Sequence, residues 1–351
     1  MLKTIELRKG AVVTIDQTRL PSRLVKIRLR SCKEICQAIR EMKIRGAPLI
    51  GAAAGYGLAL TALRSRSRTV AMMIKELERS AEMLVETRPT GANLRWAAQR
   101  IMGRARTFDN VEDLRTFVLN EADEIRKEDI RSSIRIGKNG ANLIEDGDTI
   151  LTHCNAGALA TAGYGTALGI LRAAIEEGKK VKVIATETRP LLQGARLTAY
   201  ELASEHIPVT LITDGMVGYT FQHKIVNKVI VGSDRVLRTG HVANKIGTYT
   251  ISLAAKQHDI PFYVAAPLST FDFTGSAESI VIEYRREEEV LSLGRKRIAP
   301  RGVGALNPAF DVTPPENVTA IVTEEGVLFP PYEVTIGRLA ESARRASQAA
   351  T

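Results

Sequence analysis

The chain reads as an α/β protein: a Rossmann-like open parallel sheet in a C-terminal domain, preceded by a mainly helical N-terminal domain carrying a small antiparallel β piece. Three observations predict this. From residue 148 onward, short β-branched apolar runs alternate with segments of helical spacing, the pattern of parallel strands joined by crossover helices. Before that point helical spacing dominates and is broken at Gly and Pro. With 351 residues, 44% of them hydrophobic, the chain is long enough for two domains with ordinary cores.

In order along the chain, alternation over 4–15 and 23–29 predicts the antiparallel piece, and helices are expected over 31–42, 52–63, 69–86 and 93–107. The stretch 111–142 is highly charged yet keeps apolar residues at helical spacing, so it reads as a long helix rather than a disordered linker. We expect residues 1–125 to form the helical domain, 126–147 the connecting helix and 148–351 the α/β domain. Strands are expected at 149–153, 181–186, 209–213, 229–232, 262–266 and 320–323, with helices over 158–177, 191–205 and 244–259 between them. The tail from Ser342 to Thr351 is expected to fray. No G-x-G-x-x-G run follows a first strand, so the fold class gives no reason to expect a dinucleotide.

Lys+Arg 49 against Asp+Glu 39 gives a net charge of +10, which raises the question of a nucleic-acid or acidic-membrane partner. The arginines are dispersed, however. The dense clusters at 64–68 and 294–297 lack interleaved aromatics, and only 5% of the chain is aromatic, so base-stacking platforms are disfavoured. Three cysteines in a chain of this length, Cys32, Cys36 and Cys154, suggest a reducing, cytoplasmic setting. The most apolar stretch, 47–60, is too short and glycine-rich to span a bilayer, and the first residues lack a signal-peptide pattern.

Chemistry is expected where strands end. Cys154 follows a β-branched run and precedes a Gly/Ala-rich one, a strand-to-helix corner whose N–H groups and dipole favour an anion and should lower a thiol pKa. A small buried hydrophobe is the competing reading. Asp234 ends a second apolar run at Val229–Gly232; as a turn residue it would prove little, but beside apolar surface it can hold a proton and act as a general acid. In an open parallel sheet, Cys154, Glu187, Asp214 and Asp234 would all fall at one edge. Arg45, Gly46 and Ala47 precede a Pro that can open a helix facing an anion. Arg88 in 87–93 repeats the basic-plus-turn theme, and Asn244 with Lys245 is expected to open another helix. Gln193 reads as part of a solvated face.

Cys32 and Cys36 share a helical face but lack further zinc ligands, and the five histidines form no array, so both cysteines read as core and a metal enzyme is disfavoured. Neither a nucleophile elbow nor a Walker-type loop is present.

Seven collinear motifs, RGAP at 45–48, TRPTGANL at 87–94, HCNAG at 153–157, ETRPLLQGARLTAYEL at 187–202, GSDR at 232–235, ANKIGTY at 243–249 and NPAFDVTP at 307–314, resemble the methylthioribose-1-phosphate isomerase family. That family shares a superfamily with ribose-1,5-bisphosphate isomerases and regulatory subunits of a translation-initiation exchange factor. The resemblance implies an aldose–ketose isomerase of methionine salvage, with Cys154 and Asp234 as the catalytic pair. It further implies that Arg45, Gly46, Ala47, Arg88, Gln193, Asn244 and Lys245 bind a small sugar phosphate. A homodimer without metal or organic cofactor is also implied. The alternatives are an isomerase of ribose 1,5-bisphosphate or 5-deoxyribose 1-phosphate, and a translation-factor-like regulatory protein.

Overall fold

A computed structural model describes residues 3–88, 91–277, 280–294 and 296–349, with backbone alone at 342–349. Pro89 and Thr90 of the motif at 87–94, Arg295 of the basic cluster, and the last two residues of the tail lie outside the described residues.

The N-terminal part begins with an antiparallel sheet of β1 (Ile5–Arg8), β2 (Ala11–Ile15) and β3 (Lys26–Leu29) in that order. Helices α1 (Cys32–Arg40), α2 (Ala47–Arg64), α3 (Val70–Val85) and α4 (Ala92–Ala105) follow. A capping box starts α1: the Ser31 hydroxyl accepts from Glu34 N–H, and the Glu34 carboxylate accepts from Arg30 N–H. Helix α2 is apolar all round and buried along almost its whole length, so it forms the axis on which the others pack. Cys32 and Cys36 lie in this core, as expected.

Helix α5 (Val111–Ala141) is one unbroken element that serves two cores. Leu114, Val118, Ala122 and Ile125 join the helical core, whereas Ile136 and Ala141 pack against the large sheet. That sheet has seven strands in the order β16-β15-β10-β7-β4-β5-β6. The members are β4 (Thr149–Thr152), β5 (Lys182–Thr186), β6 (Val209–Ile212), β7 (Lys228–Val231), β10 (Phe262–Ala265), β15 (Ala320–Thr323) and β16 (Gly326–Leu328). All are parallel except β16, which pairs antiparallel with β15. Neighbouring side chains alternate between faces. Ile150, Val183 and Ile230 meet α5 and α6 (Ala167–Glu176); Leu151, Ile184 and Val229 meet α8 (Val217–Gln222) and α9 (Thr248–Gln257). The protein is thus mixed α/β with a parallel-rich sheet covered on both faces.

A second sheet, unexpected from the sequence, has the order β11-β8-β9-β14, with β8 (Arg235–Leu237), β9 (Val242–Lys245), β11 (Phe271–Asp272) and β14 (Phe310–Thr313). A two-stranded ribbon pairs β12 (Ser292–Leu293) with β13 (Lys296–Arg297). Helices α7 (Ala199–Ser204), α10 (Glu288–Leu291) and α11 (Tyr332–Ala349) complete the elements. Among the described residues no helix is long and apolar enough to cross a membrane.

Three expected helices are shorter than their sequence patterns. Over 158–177 a short 3-10 turn at Ala158–Ala160 is followed by a loop, and α6 begins only at Ala167. The Thr161 hydroxyl accepts from the N–H groups of Gly163 and Gly165, which takes that backbone out of a helix. Over 191–205 a π turn at Gly194–Thr198 precedes α7. Asn244 and Lys245 do not open a helix; they end β9, and α9 starts after Gly247.

Candidate active site

In the large sheet β4 is the switch point: β5 and β6 lie on one side of it, and β7, β10 and β15 on the other. Chain connections leave such a point in opposite directions, which opens a crevice at the carboxyl ends of the two central strands. Cys154 follows β4 and Asp234 follows β7, so both stand at this crevice. The N-terminal end of α2 comes over it. Arg45, Gly46, Ala47, Arg88, Cys154, Gln193, Asp234, Asn244 and Lys245 all line one cleft of about 630 Å³ counted to its open mouth.

Cys154 sits in the left-handed region at φ 61°. Its N–H donates to the Thr188 hydroxyl at 2.9 Å, and its carbonyl accepts from Thr198 at 2.6 Å. Such a conformation in a non-glycine residue is held only by surrounding contacts. Behind it the buried His153 bridges Thr186 Oγ1 at 2.6 Å and the Ile246 carbonyl at 2.9 Å. A carbonyl needs a donor, so Nε2 carries the proton and Nδ1 accepts from Thr186. Burial holds this imidazole below its ordinary pKa, and it ties the thiol's strand to the Lys245–Gly247 turn.

Gly46 has φ 98°, and a Cβ there would lie 2.5 Å from the Ala160 backbone. Only glycine lets α2 start against the Cys154 loop. Among the described residues no side chain caps α2, and its start at Gly46, Ala47 and Pro48 lines the cleft. Arg45 is buried and directed by Asn155, whose Oδ1 and carbonyl accept from its guanidinium at 3.0 and 2.8 Å. Lys245 donates to the Ala309 carbonyl at 2.8 Å, with its ammonium 4.4 Å from the centre of the Phe310 ring. Arg88 lies 5.7 Å from that ring centre and pairs with Glu283 at 3.2 Å.

Burial pushes the Cys154 thiol up, not down; Arg45 and Lys245 work against this rise, and a charged Asp234 adds to it. The expected strand-to-helix corner is absent, since no helix starts at residue 155, and burial outweighs the nearby cations. Burial likewise raises the Asp234 carboxyl above the ordinary carboxylate range, against Lys245, Arg88 and Arg45. Burial lowers Lys245.

Gln193 is 3% exposed, and among the described residues its Oε1 has no hydrogen-bond partner, so it is a buried acceptor at the cleft rather than part of a solvated face. Glu187 and Asp214 do not line the cleft. Asp214 instead accepts from the N–H groups of Thr188 and Arg189 at 2.8 and 2.7 Å, fixing the turn that supports Cys154. Asn155, Phe310 and Glu283 were not singled out from the sequence. The first two lie inside the motifs at 153–157 and 307–314, which was the available signal; Glu283 carried none. Among the described residues, no group of three or more His, Cys, Asp or Glu could hold a metal ion.

The class is that of a mixed α/β protein whose switch-point cleft gathers a thiol, an elevated carboxyl and several cations. The chain belongs to the Initiation factor 2 subunit family, whose sequence pattern matches residues 43–330. It is 51% identical over 328 residues to the methylthioribose-1-phosphate isomerase of Desulforamulus reducens, covering 93% of this chain and 95% of that one. The enzyme of the same name from Thermotoga maritima is 48% identical over 342 residues, covering 97% and 98%. The solved structure of 5-methylthioribose 1-phosphate isomerase from Pyrococcus horikoshii superposes with a TM-score of 0.90 at 40% identity, covering 97% and 96%. A structure described as translation initiation factor eIF-2B, subunit delta, from A. fulgidus gives 0.85 at 48% identity, covering 97% and 100%.

Proposed function

We propose that this chain is an aldose–ketose isomerase that converts 5-methylthioribose 1-phosphate to 5-methylthioribulose 1-phosphate in methionine salvage. One observation carries the reading: Cys154 and Asp234 face the same cleft as all seven residues expected to bind substrate.

The phosphate on O1 prevents spontaneous opening to a free aldehyde. Asp234, biased toward its protonated form, donates a proton to the ring oxygen; the bond from C1 to that oxygen breaks, and positive charge develops at C1. Two routes lead on. In one, Cys154, as the thiolate that Arg45 and Lys245 favour against burial, takes the C2 proton, the C2–H electron pair forms the C1–C2 double bond of an enol phosphate, and the thiol returns a proton to C1. In the other, hydride passes from C2 to C1 directly. In both, the O2 proton goes to the Asp234 carboxylate, which restores the acid and leaves the C2 ketone. Arg45, Lys245 and the α2 terminus supply charge for the phosphate, and the enclosed cleft limits water at the cationic centre. C2-deuterated substrate in ordinary water separates the routes: extensive loss of label excludes pure hydride transfer.

An annex beside Asp234 has Ile50, Ile280, Ile282 and Phe310 in its walls, and its two arginines are paired with carboxylates, Arg88 with Glu283 and Arg235 with Asp272, which supports a methylthio group over a second phosphate. The strand order supports a Rossmann-like C-terminal domain joined through 126–147 to a helical N-terminal domain. The reading includes a homodimer, supported by the exposed apolar side chains Leu211, Met216, Tyr219, Tyr249 and Leu253 on and after β6 and along α9. It takes the enzyme as cytoplasmic, working without metal or organic cofactor and without a specific nucleic-acid or membrane partner. Incubation with methylthioribose 1-phosphate, ribose 1,5-bisphosphate and 5-deoxyribose 1-phosphate in parallel tests the assignment. Ketose from the first at the highest kcat/KM is the expected result. RNA binding that persists in moderate salt, with no isomerisation, would instead favour a regulatory translation-factor role.

A further inference from the structure

We infer that Glu201, which does not line the cleft, is a positioning residue that fixes the loop after Cys154 and, through Asn155, aims Arg45 at the thiol. Its side chain is fully buried and accepts four hydrogen bonds. The donors are Asn155 Nδ2 at 2.9 Å, the N–H groups of Ala158 at 2.7 Å and Leu159 at 3.1 Å, and Arg172 at 2.8 Å. Arg172 is fixed in turn by Glu205 at 2.7 and 2.9 Å and by the Tyr164 carbonyl at 2.5 Å. At Gly157 any Cβ would run into the Glu201 carboxylate, so the loop can wrap that group only with glycine there.

A buried carboxylate is tolerated where its charge is paired and its lone pairs are used, and a network satisfied in this way is rigid. Here the network runs from Arg172 on α6 through Glu201 on α7 to Asn155, whose two oxygens hold Arg45 just before α2. Glu201, with the Thr198 hydroxyl that also accepts from Asn155 Nδ2 at 3.2 Å, therefore fixes which way the Asn155 side-chain oxygen points, and Asn155 determines where the guanidinium points. The charged and titratable groups facing Cys154 are Arg45, Lys245 from β9 and Asp234 after β7, with His153 adjacent and held neutral. Arg45 is foremost among those favouring the thiolate, so releasing it should make the thiol harder to ionise.

The effect on turnover rests on the isomerase reading; the thiol readout needs no substrate. The test measures iodoacetamide alkylation of Cys154 against pH, kcat and thermal unfolding for full-length wild type, Glu201→Gln, Asn155→Ala and the double variant. Cys32 and Cys36 are buried, and peptide mass separates their signal. For Glu201→Gln we expect the alkylation midpoint to move up by about one pH unit and kcat to fall on the order of 10²-fold. In the Asn155→Ala background the same change should cost no more than about twofold, because both act through one chain of contacts. An unchanged alkylation midpoint in Glu201→Gln, whatever happens to its stability, overturns the proposal, as do independent effects that multiply in the double variant. Should Glu201→Gln fail to fold, Asn155→Ala alone decides through the same midpoint. A shifted midpoint in a protein that isomerises no pentose phosphate would refute the isomerase reading and still support the positioning role.

Discussion

Arg45 grips Asn155 at two points, the side-chain oxygen at 3.0 Å and the backbone carbonyl at 2.8 Å. The planar guanidinium is therefore oriented in the cleft that Cys154 also lines before any ligand arrives, and little ordering is left for binding. Lysine keeps the charge but cannot form this fork. Arg45→Lys should lose about 1.5–3 kcal/mol of transition-state stabilisation, roughly 10- to 100-fold in kcat/KM. Steady-state kinetics, with an unfolding midpoint near that of wild type, checks this.

Gly46→Ala should damage both fold and activity. The new Cβ meets the Ala160 backbone at 2.5 Å, and φ 98° is strained for any L side chain. A loss of about 2–4 kcal/mol is expected from backbone strain and overpacking together. Urea unfolding measures it, and an unchanged midpoint would show that α2 does not need this close approach.

Asp129 supplies a pH signature. Its carboxyl, on α5, accepts from Ala162 N–H at 2.5 Å in the loop beside the cleft, yet burial and the nearby Glu324 push its pKa up to about 7. A carboxyl raised in the folded chain releases its proton later than in the unfolded chain. Its contribution is thus fully favourable at low pH and lost as pH rises toward 7. Asp129→Asn keeps an acceptor for Ala162 and should remove about 2 kcal/mol of that pH-dependent loss. Denaturant titrations at pH 5 and pH 8 should show the variant gaining more on wild type at the higher pH.

The apolar side chains on and after β6 and along α9 make the dimer testable. Tyr219→Arg with Leu253→Arg places charge on two exposed positions and should leave the core intact, since neither residue is buried. Light scattering should give twice the chain mass for wild type and the single-chain mass for the variant. A wild-type monomer at micromolar concentration would contradict the homodimer.

The central strands of the large sheet were legible because they are buried on both faces and so read as near-continuous apolar runs, such as 229–231 and Ala320–Thr323. The second sheet was not, because strands of two to four residues such as Arg235–Leu237 and Phe271–Asp272 carry too little periodicity. Asn244 and Lys245 were visible as polar residues near a helix start, but their place on β9 depends on pairing with Phe310–Thr313, some 65 residues away. The cleft residues could be named from motifs. Their electrostatics could not, since the rise at Cys154 comes from enclosure by segments distant in sequence. Glu201 lies inside the motif at 187–202, but neither the motif nor its helical spacing tells of the donors that converge on it from residues 155, 158, 159 and 172.

The central claim is that Cys154 and Asp234 together perform the isomerisation in this cleft. Formation of 5-methylthioribulose 1-phosphate, followed by phosphorus NMR with wild type, Cys154→Ser and Asp234→Asn, tests it most directly. Wild type should produce the ketose, and each folded variant should lose at least about 10²–10⁴-fold in rate. Near-normal turnover by either variant would contradict the account.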